Sequence, residues 1–168
     1  ICIDISENQI TYAKKHYKGK GKFLVLDEFD FEDSFERFDV ITCLGLFEFI
    51  SEQDGIELLN KFYKILKPNG KVYLTTPNFK ISMKILEYFL NKFGSLDYSK
   101  EYQSRYTKIT FDKLIKKSKF NILMSGKYMT PLIFASIFGN TIGIQLNNFL
   151  EKITKNKYGF LMFYGLKK

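Results

Sequence analysis

The sequence predicts an α/β domain built on a largely parallel sheet, and three observations carry that prediction. Short apolar runs of strand length alternate with segments whose apolar residues recur at the helical period. The runs stop at an acid or a tight turn, as at Asp4, Asp27 and Asn78. Their order, strand, helix, strand, loop, strand, helix, strand, is the rhythm of a right-handed parallel sheet. Ligands of such sheets bind outside the carboxyl ends of the strands, where Asp4, Asp27, Leu44 and Asn78 all fall.

Ile1, Cys2, Ile3 and Ile5 make the first strand, with Asp4 at its end. Ser6, followed three residues later by Gln9, has the capping-box pattern for a helix over residues 7–17, in which Ile10, Ala13 and Tyr17 share one face. Gly19 and Gly21 stop it. Residues 22–26 form a second apolar run, closed by Asp27 and Glu28, and residues 29–37 alternate acids and aromatics without a period, as a loop does. Phe38–Leu44 is the third strand, and its continuous β-branched content predicts burial on both faces. Residues 45–50 follow as a turn with a short helical piece. Ser51 then caps a helix that places Ile56, Leu59, Phe62, Ile65 and Leu66 at the 3.6 period. Lys67, Pro68, Asn69 and Gly70 end it in a tight turn in which Gly70 is expected to take a positive φ. Residues 72–76 are the fourth strand, ended by Pro77 and Asn78.

A strand ending in an acid and running into a capped helix is a nucleotide-site pattern. The carboxylate accepts hydrogen bonds from ribose hydroxyls, and a glycine-rich turn lies about twenty residues earlier. With the acid at position 4, that turn falls before residue 1. The sequence therefore reads as a fragment that begins inside a domain, without its first strand and glycine-rich loop.

Composition narrows the function classes. A chain of 168 residues with 45% hydrophobic and 17% aromatic content suits one globular domain with a substantial core. The net charge of +8 is segregated: residues 27–57 hold eleven acids against Arg37 alone, whereas residues 58–168 hold twenty bases against five acids. That field attracts an anionic substrate, an acidic membrane surface or nucleic acid. Of the bases, however, only Arg37 and Arg105 offer the planar fork that reads guanine or clamps phosphate, which disfavours specific nucleic-acid recognition. Cys2 and Cys43 are read as reduced thiols rather than a disulfide framework, His16 stands alone, and no metal-ligand cluster is expected. Cysteine usage points to the cytoplasm, with membrane association as an alternative.

By this point the residues resemble the class I S-adenosylmethionine-dependent methyltransferases, in particular their small-molecule group. The resemblance rests on Ile3, Asp4, Ile5 and Ser6 through Ala13, Lys14 and Lys15, and on Asp27 after the next strand. Phe38 and Asp39, then Phe47, Glu48 and Ile50, and then Leu66, Lys67, Pro68, Asn69 and Gly70 continue it in order, with Pro77 and Asn78 closing the strand. Residues 106–120 are similar to the family's Thr-capped helix before a late strand, and residues 158–166 to its final strand. The implied fold is a Rossmann-like, mostly parallel sheet with an antiparallel last strand. The implied cofactor is S-adenosylmethionine, with Asp4 on the ribose, Ile5 on the adenine face, Asp27 on the adenine amino group and the Glu28 backbone N–H on the ring. Cys43 and Leu44 would line the path beneath the sulfonium. Where the family often has a His the chain has Phe49, and where it often has an acid three residues before Glu48 the chain has Gly45. Glu48 is thus a weak catalytic candidate, and Asn78, Tyr102 and Tyr106 are candidates to touch substrate.

Residues 128–150 carry no charge and include Pro131, Gly139, Asn140, Gln145, Asn147 and Asn148. Those residues make the stretch too polar to span a bilayer. A helical lid insertion over residues 129–150 is expected at the substrate edge, with peripheral membrane contact through 129–148 as the alternative. The function expected overall is methyl transfer to a small acceptor, lipophilic or anionic. The competing readings are a methyltransferase-like binding or assembly module without catalysis and a lysine-rich nucleic-acid binder, which lacks an aromatic stacking motif. The fragment alone is expected to be inactive, because two strand edges that the missing strand would fill are left unpaired.

Overall fold

The computed structural model describes residues 1–17, 19, 21–93 and 98–168. They divide into two compact units, Ile1–Phe35 and Glu36–Lys168. Lys14 and Lys15 lie on the first helix as expected, and Lys18 and Lys20 lie outside the described residues.

In the first unit, β1 (Cys2–Asp4) pairs in parallel with β2 (Phe23–Val25), in the register Ile3↔Leu24 and Asp4↔Val25. Between them runs α1 (Glu7–His16), and its start follows the sequence pattern: Ser6 Oγ accepts from the Gln9 backbone N–H at 3.3 Å. Ile10 is the buried anchor of α1, and Tyr17 stacks on Phe23 with centroids 6.3 Å apart. Past a 3₁₀ turn at Leu26–Glu28, Asp30 Oδ1 accepts from the backbone N–H groups of Glu32 and Asp33. The acid-rich loop is therefore shaped by local side-chain bonds rather than by a periodic element.

The second unit is a four-stranded sheet in the order β3-β4-β6-β5. Its strands are β3 (Phe38–Leu44), β4 (Leu66–Pro77), β5 (Asn121–Tyr128) and β6 (Leu161–Lys167). β3 and β4 are parallel; β6 runs antiparallel to both β4 and β5. The antiparallel last strand matches the expectation. The helices are α2 (Glu52–Ile65), α3 (Ile81–Phe93), α4 (Tyr98–Glu101), α5 (Lys108–Lys116) and α6 (Asn140–Thr154). Ser51 caps α2 by accepting from the Asp54 N–H, and Thr107 caps α5 by accepting from that of Thr110. On one sheet face Val72, Leu74, Met162, Tyr164 and Leu166 are buried, with Leu59, Phe62 and Ile65 of α2 and Phe111, Leu114 and Ile115 of α5 completing the core. Phe111 sits at its centre, 5.3 Å from the Phe47 ring and 5.0 Å from that of Tyr164.

Two expectations need correction. β3 is not buried on both faces: Val40 and Leu44 are 50% and 68% exposed. Among the described residues it is an edge strand bonded to β4 alone, and only the face that carries Cys43 is packed, whereas the face of Val40, Thr42 and Leu44 is open. The positive φ after α2 belongs to Asn69 (φ 65), not to Gly70. Asparagine tolerates that region. Gly70 is required for a different reason, since a Cβ there would lie 2.8 Å from Leu66 Cδ2 and 2.9 Å from the Lys67 carbonyl oxygen. β4 also starts earlier than predicted, because the chain returns to pairing at Phe38↔Leu66 and absorbs the turn as an irregularity before Val40↔Lys71.

Candidate functional site

In the first unit both predicted acids stand at the carboxyl end of the paired strands. Asp4 closes β1, and its Oδ1 accepts from the Ser6 backbone N–H at 2.8 Å, which turns the exposed carboxylate toward the start of α1. Ile5 beside it is 75% exposed. Asp27 follows β2 in the 3₁₀ turn and is exposed. Glu28 folds back, with Oε2 accepting from the Val25 N–H at 3.0 Å.

The second unit has its own cluster at the corresponding ends of β3 and β4. After Leu44 the chain turns at Gly45, whose φ is +63° and whose N–H donates to the Thr75 carbonyl at 3.0 Å. That left-handed conformation explains a glycine at this position in place of an acid. A 3₁₀ turn, Phe47–Phe49, then drives Glu48 inward until it is buried. Thr76 Oγ1 donates to Glu48 Oε2 at 2.9 Å, and the Glu48 carbonyl accepts from the N–H groups of Gln103 and Ser104 at 2.9 and 3.1 Å. Burial pushes the Glu48 carboxyl above its usual range, opposed by its backbone bond and by the Thr76 hydroxyl. Cys43, also buried, has its thiol pushed up to about 12 by burial and by the charge of Glu48. It therefore stays protonated and is no nucleophile. Leu44 points to the opposite face of β3 from Cys43.

Asn78 is buried where β4 ends. Its backbone N–H donates to the Phe160 carbonyl at 2.7 Å and its Nδ2 to the Gly159 carbonyl at 3.1 Å. Its Oδ1 is buried without a hydrogen-bond partner among the described residues, and so is the Tyr106 hydroxyl. Ser104, two residues away, gives its proton to the Ile50 carbonyl instead. The Phe79 N–H donates to the Tyr106 carbonyl at 2.8 Å, and the Tyr102 ring packs 5.1 Å from that of Phe79 and 5.4 Å from that of Phe49. The structure thus brings Glu48, Asn78, Tyr102 and Tyr106 to one end of the four-stranded sheet. Gly45 belongs with them, and so do Thr76 and Ser104, which the sequence did not single out, although two threonines before Pro77 at a strand end are a readable sign of a polar rim. Two cavities adjoin this end and share Ser82. One is an open cleft of about 420 Å³ lined by Phe79, Lys80, Ile81, Ser82 and Lys84. The other, about 310 Å³, is lined by Ser82, Ile85, Leu86, Phe134 and Phe160 and is almost wholly apolar.

Residues 1–72 match the model of a methyltransferase domain family. A solved S-adenosylmethionine-dependent methyltransferase from Archaeoglobus fulgidus superimposes with a TM-score of 0.62 at 16% identity, covering 99% of this chain and 74% of that one. One from Mesorhizobium loti gives 0.64 at 11% identity, covering 99% and 78%. The chain has the fold of a class I S-adenosylmethionine-dependent methyltransferase. In sequence, 122 residues are 25% identical to the uncharacterized protein RP028 of Rickettsia prowazekii. That match covers 68% of this chain, which spans less than half of the relative's length.

Measured against a methyltransferase's adenosyl cofactor, the side chains of the first unit fit. A ribose needs an exposed carboxylate held in a fixed orientation, and Asp4 is such a group, oriented by the Ser6 N–H. An adenine needs an apolar neighbour, and Ile5 is exposed next to it. In the second unit of this methyltransferase fold two buried side-chain atoms without partners among the described residues, Asn78 Oδ1 and the Tyr106 hydroxyl, have bonding capacity to offer.

Proposed function

We propose that the protein transfers a methyl group from S-adenosylmethionine to a small acceptor that combines an apolar body with an anionic group. The observation that carries the acceptor chemistry is the pair of adjoining cavities beside Asn78, one edged by Lys80 and Lys84 and the other apolar. When bound, the cofactor supplies a methyl group already activated on a positively charged sulfur, so positioning contributes much of the acceleration. In the first unit Asp4 binds the ribose hydroxyls, Ile5 packs on the adenine, and Asp27 and the Glu28 N–H meet the adenine edge. In the second, Leu44 and the backbone of Cys43 line the methyl's path, Asn78, Tyr102 and Tyr106 contact the acceptor, and Lys80 and Lys84 hold its anion. An acceptor hydroxyl or amine sheds a proton as it is methylated. Glu48, held by Thr76 and raised by burial, is the candidate to take it.

Calorimetric titration with S-adenosylmethionine tests the cofactor half. Asp4→Ala is expected to weaken binding by about 1.5–3 kcal/mol, the scale of a lost charge-assisted hydrogen bond, and unchanged affinity would remove Asp4 from the ribose. For the acceptor, transfer of a labelled methyl group to anionic amphiphiles is compared with transfer to their neutral analogues. Lys80→Gln with Lys84→Gln is expected to raise KM for the anionic set only. Phe49, which packs on Tyr102 where the family often has a His, favours a second reading as a binding module. Cofactor binding without any turnover would select it.

A further inference from the structure

Helix α6 is built inside out. Its buried side carries Gly143 and Asn147. Asn147 Oδ1 accepts from both the backbone N–H and the hydroxyl of Thr130, at 2.7 and 2.9 Å, and its Nδ2 donates to Glu151 Oε1 at 2.9 Å. Glu151 Oε1 also accepts from the Met129 N–H at 2.7 Å. Gly143 sits so close to Ser136 that a Cβ would collide with it. Small and polar residues therefore hold the helix down, while Ile142, Leu146, Phe149 and Ile153, recurring at helical spacing, face solvent. Phe149 and Ile153 are 63% and 61% exposed. A helix on the surface of a water-facing domain is patterned the other way round.

Helix α3 repeats the device on a smaller scale. Met83 and Glu87 are buried, whereas Ile81, Ile85 and Tyr88, also at helical spacing, are exposed, Ile81 to 77%. A 3₁₀ stretch, Pro131–Phe138, packs on α6 and adds exposed Leu132 and Phe134. Through Phe134 it shares the apolar cavity with Ile85 and Leu86 of α3. Among the described residues the exposed charge of α3, the 3₁₀ stretch and α6 themselves is positive, with Glu101 of α4 exposed beside α3. Glu87 is bound to Arg105 at 2.8 Å and Glu151 is held as described, while Lys80, Lys84, Lys152, Lys155 and Lys157 are exposed. Among the described residues no helix is long and apolar enough to cross a membrane.

We infer that α3, the 3₁₀ stretch and α6 form a face that lies on an anionic lipid surface, with the two outward stripes entering the headgroup boundary and Lys152, Lys155 and Lys157 meeting lipid phosphates. Apolar stripes flanked by lysines that reach past them are what an interfacial helix needs, and the exposed charge is complementary to an acidic leaflet.

The purified protein is floated with vesicles of phosphatidylcholine alone and with vesicles that also contain phosphatidylglycerol, at low and high salt. Binding is expected to the anionic vesicles only and to weaken as salt rises. Phe149→Ser combined with Ile153→Ser removes exposed side chains only and is expected to lower partitioning by roughly tenfold or more, from the lost apolar burial. Replacing Lys152 and Lys155 with Ser is expected to lower it as well, while circular dichroism stays unchanged for both variants. No binding to anionic vesicles, or undiminished binding by the double serine variant, overturns the proposal. So does a dimer in solution that the same variant splits, because the face would then be covered by a second copy.

Discussion

Thr76, on β4, and Glu48, on the turn after β3, are joined by a 2.9 Å hydrogen bond out of contact with solvent. The bond ties the turn that follows the edge strand to the centre of the sheet. Thr76→Val keeps the shape and leaves a buried carboxyl oxygen without its donor, so a loss of about 1–3 kcal/mol is expected. Thr76→Ser should retain most of the stability. Urea unfolding of the two variants measures this, and equal midpoints would show that the bond contributes nothing.

The same pair sets a pH dependence. Burial raises the folded-state pKa of Glu48, so the protonated form is the one that folding favours. Its contribution is complete below the ordinary carboxylate range and is lost as pH rises through the raised value. Glu48→Gln, which keeps an acceptor for Thr76, should therefore gain on the parent in melting temperature from about pH 4 to about pH 8. A constant difference across that range would contradict the burial effect.

The two cysteines should differ in reactivity. Cys2 is exposed, and Cys43 is buried with its thiol pushed up to about 12. Iodoacetamide at about pH 8 is expected to modify Cys2 and spare Cys43 until the protein is unfolded. Mass spectrometry of the native and denatured reactions distinguishes the two sites, and rapid native labelling of Cys43 would count against its protonated, buried state.

The turn after α2 makes an unusual contrast between neighbours. Asn69 has the positive φ, so Asn69→Gly should cost little. Gly70→Ala would press a methyl group against Leu66 and the Lys67 carbonyl, and a loss of about 1–3 kcal/mol is expected from overpacking. Thermal melts that ranked the two substitutions in the opposite order would refute this assignment.

Much of the second unit could be read from local signals, because Ser51 and Thr107 cap their helices and the periodic apolar residues of α2 form the core. The exposure of β3 could not. A run of β-branched residues specifies a strand, but whether its faces are covered depends on neighbours that periodicity does not name. Likewise the sequence placed Asp4 and Asn78 at strand ends but gave no sign that Thr76 would donate to Glu48, a bond between residues distant in sequence. The inverted patterning of α6 escaped for a related reason. Up to Leu150 its residues are uncharged on every side, and only the bonds from Asn147 and Glu151 to Thr130 and Met129 decide which side turns inward.

The position of β6 has a consequence for how the molecule assembles. Lys71 pairs with Lys167 and Pro77 with Leu161, so β6 lies between β4 and β5 and joins them. Until those residues have left the ribosome, β4 and β5 have no strand through which to meet. Much of the sheet therefore closes late and over long sequence separations, a topology that folds slowly. During synthesis the apolar inner face of β4, with Val72 and Leu74, lacks the strand beside it, which makes the nascent chain a natural client for whatever shields such surfaces until Leu161–Lys167 arrives.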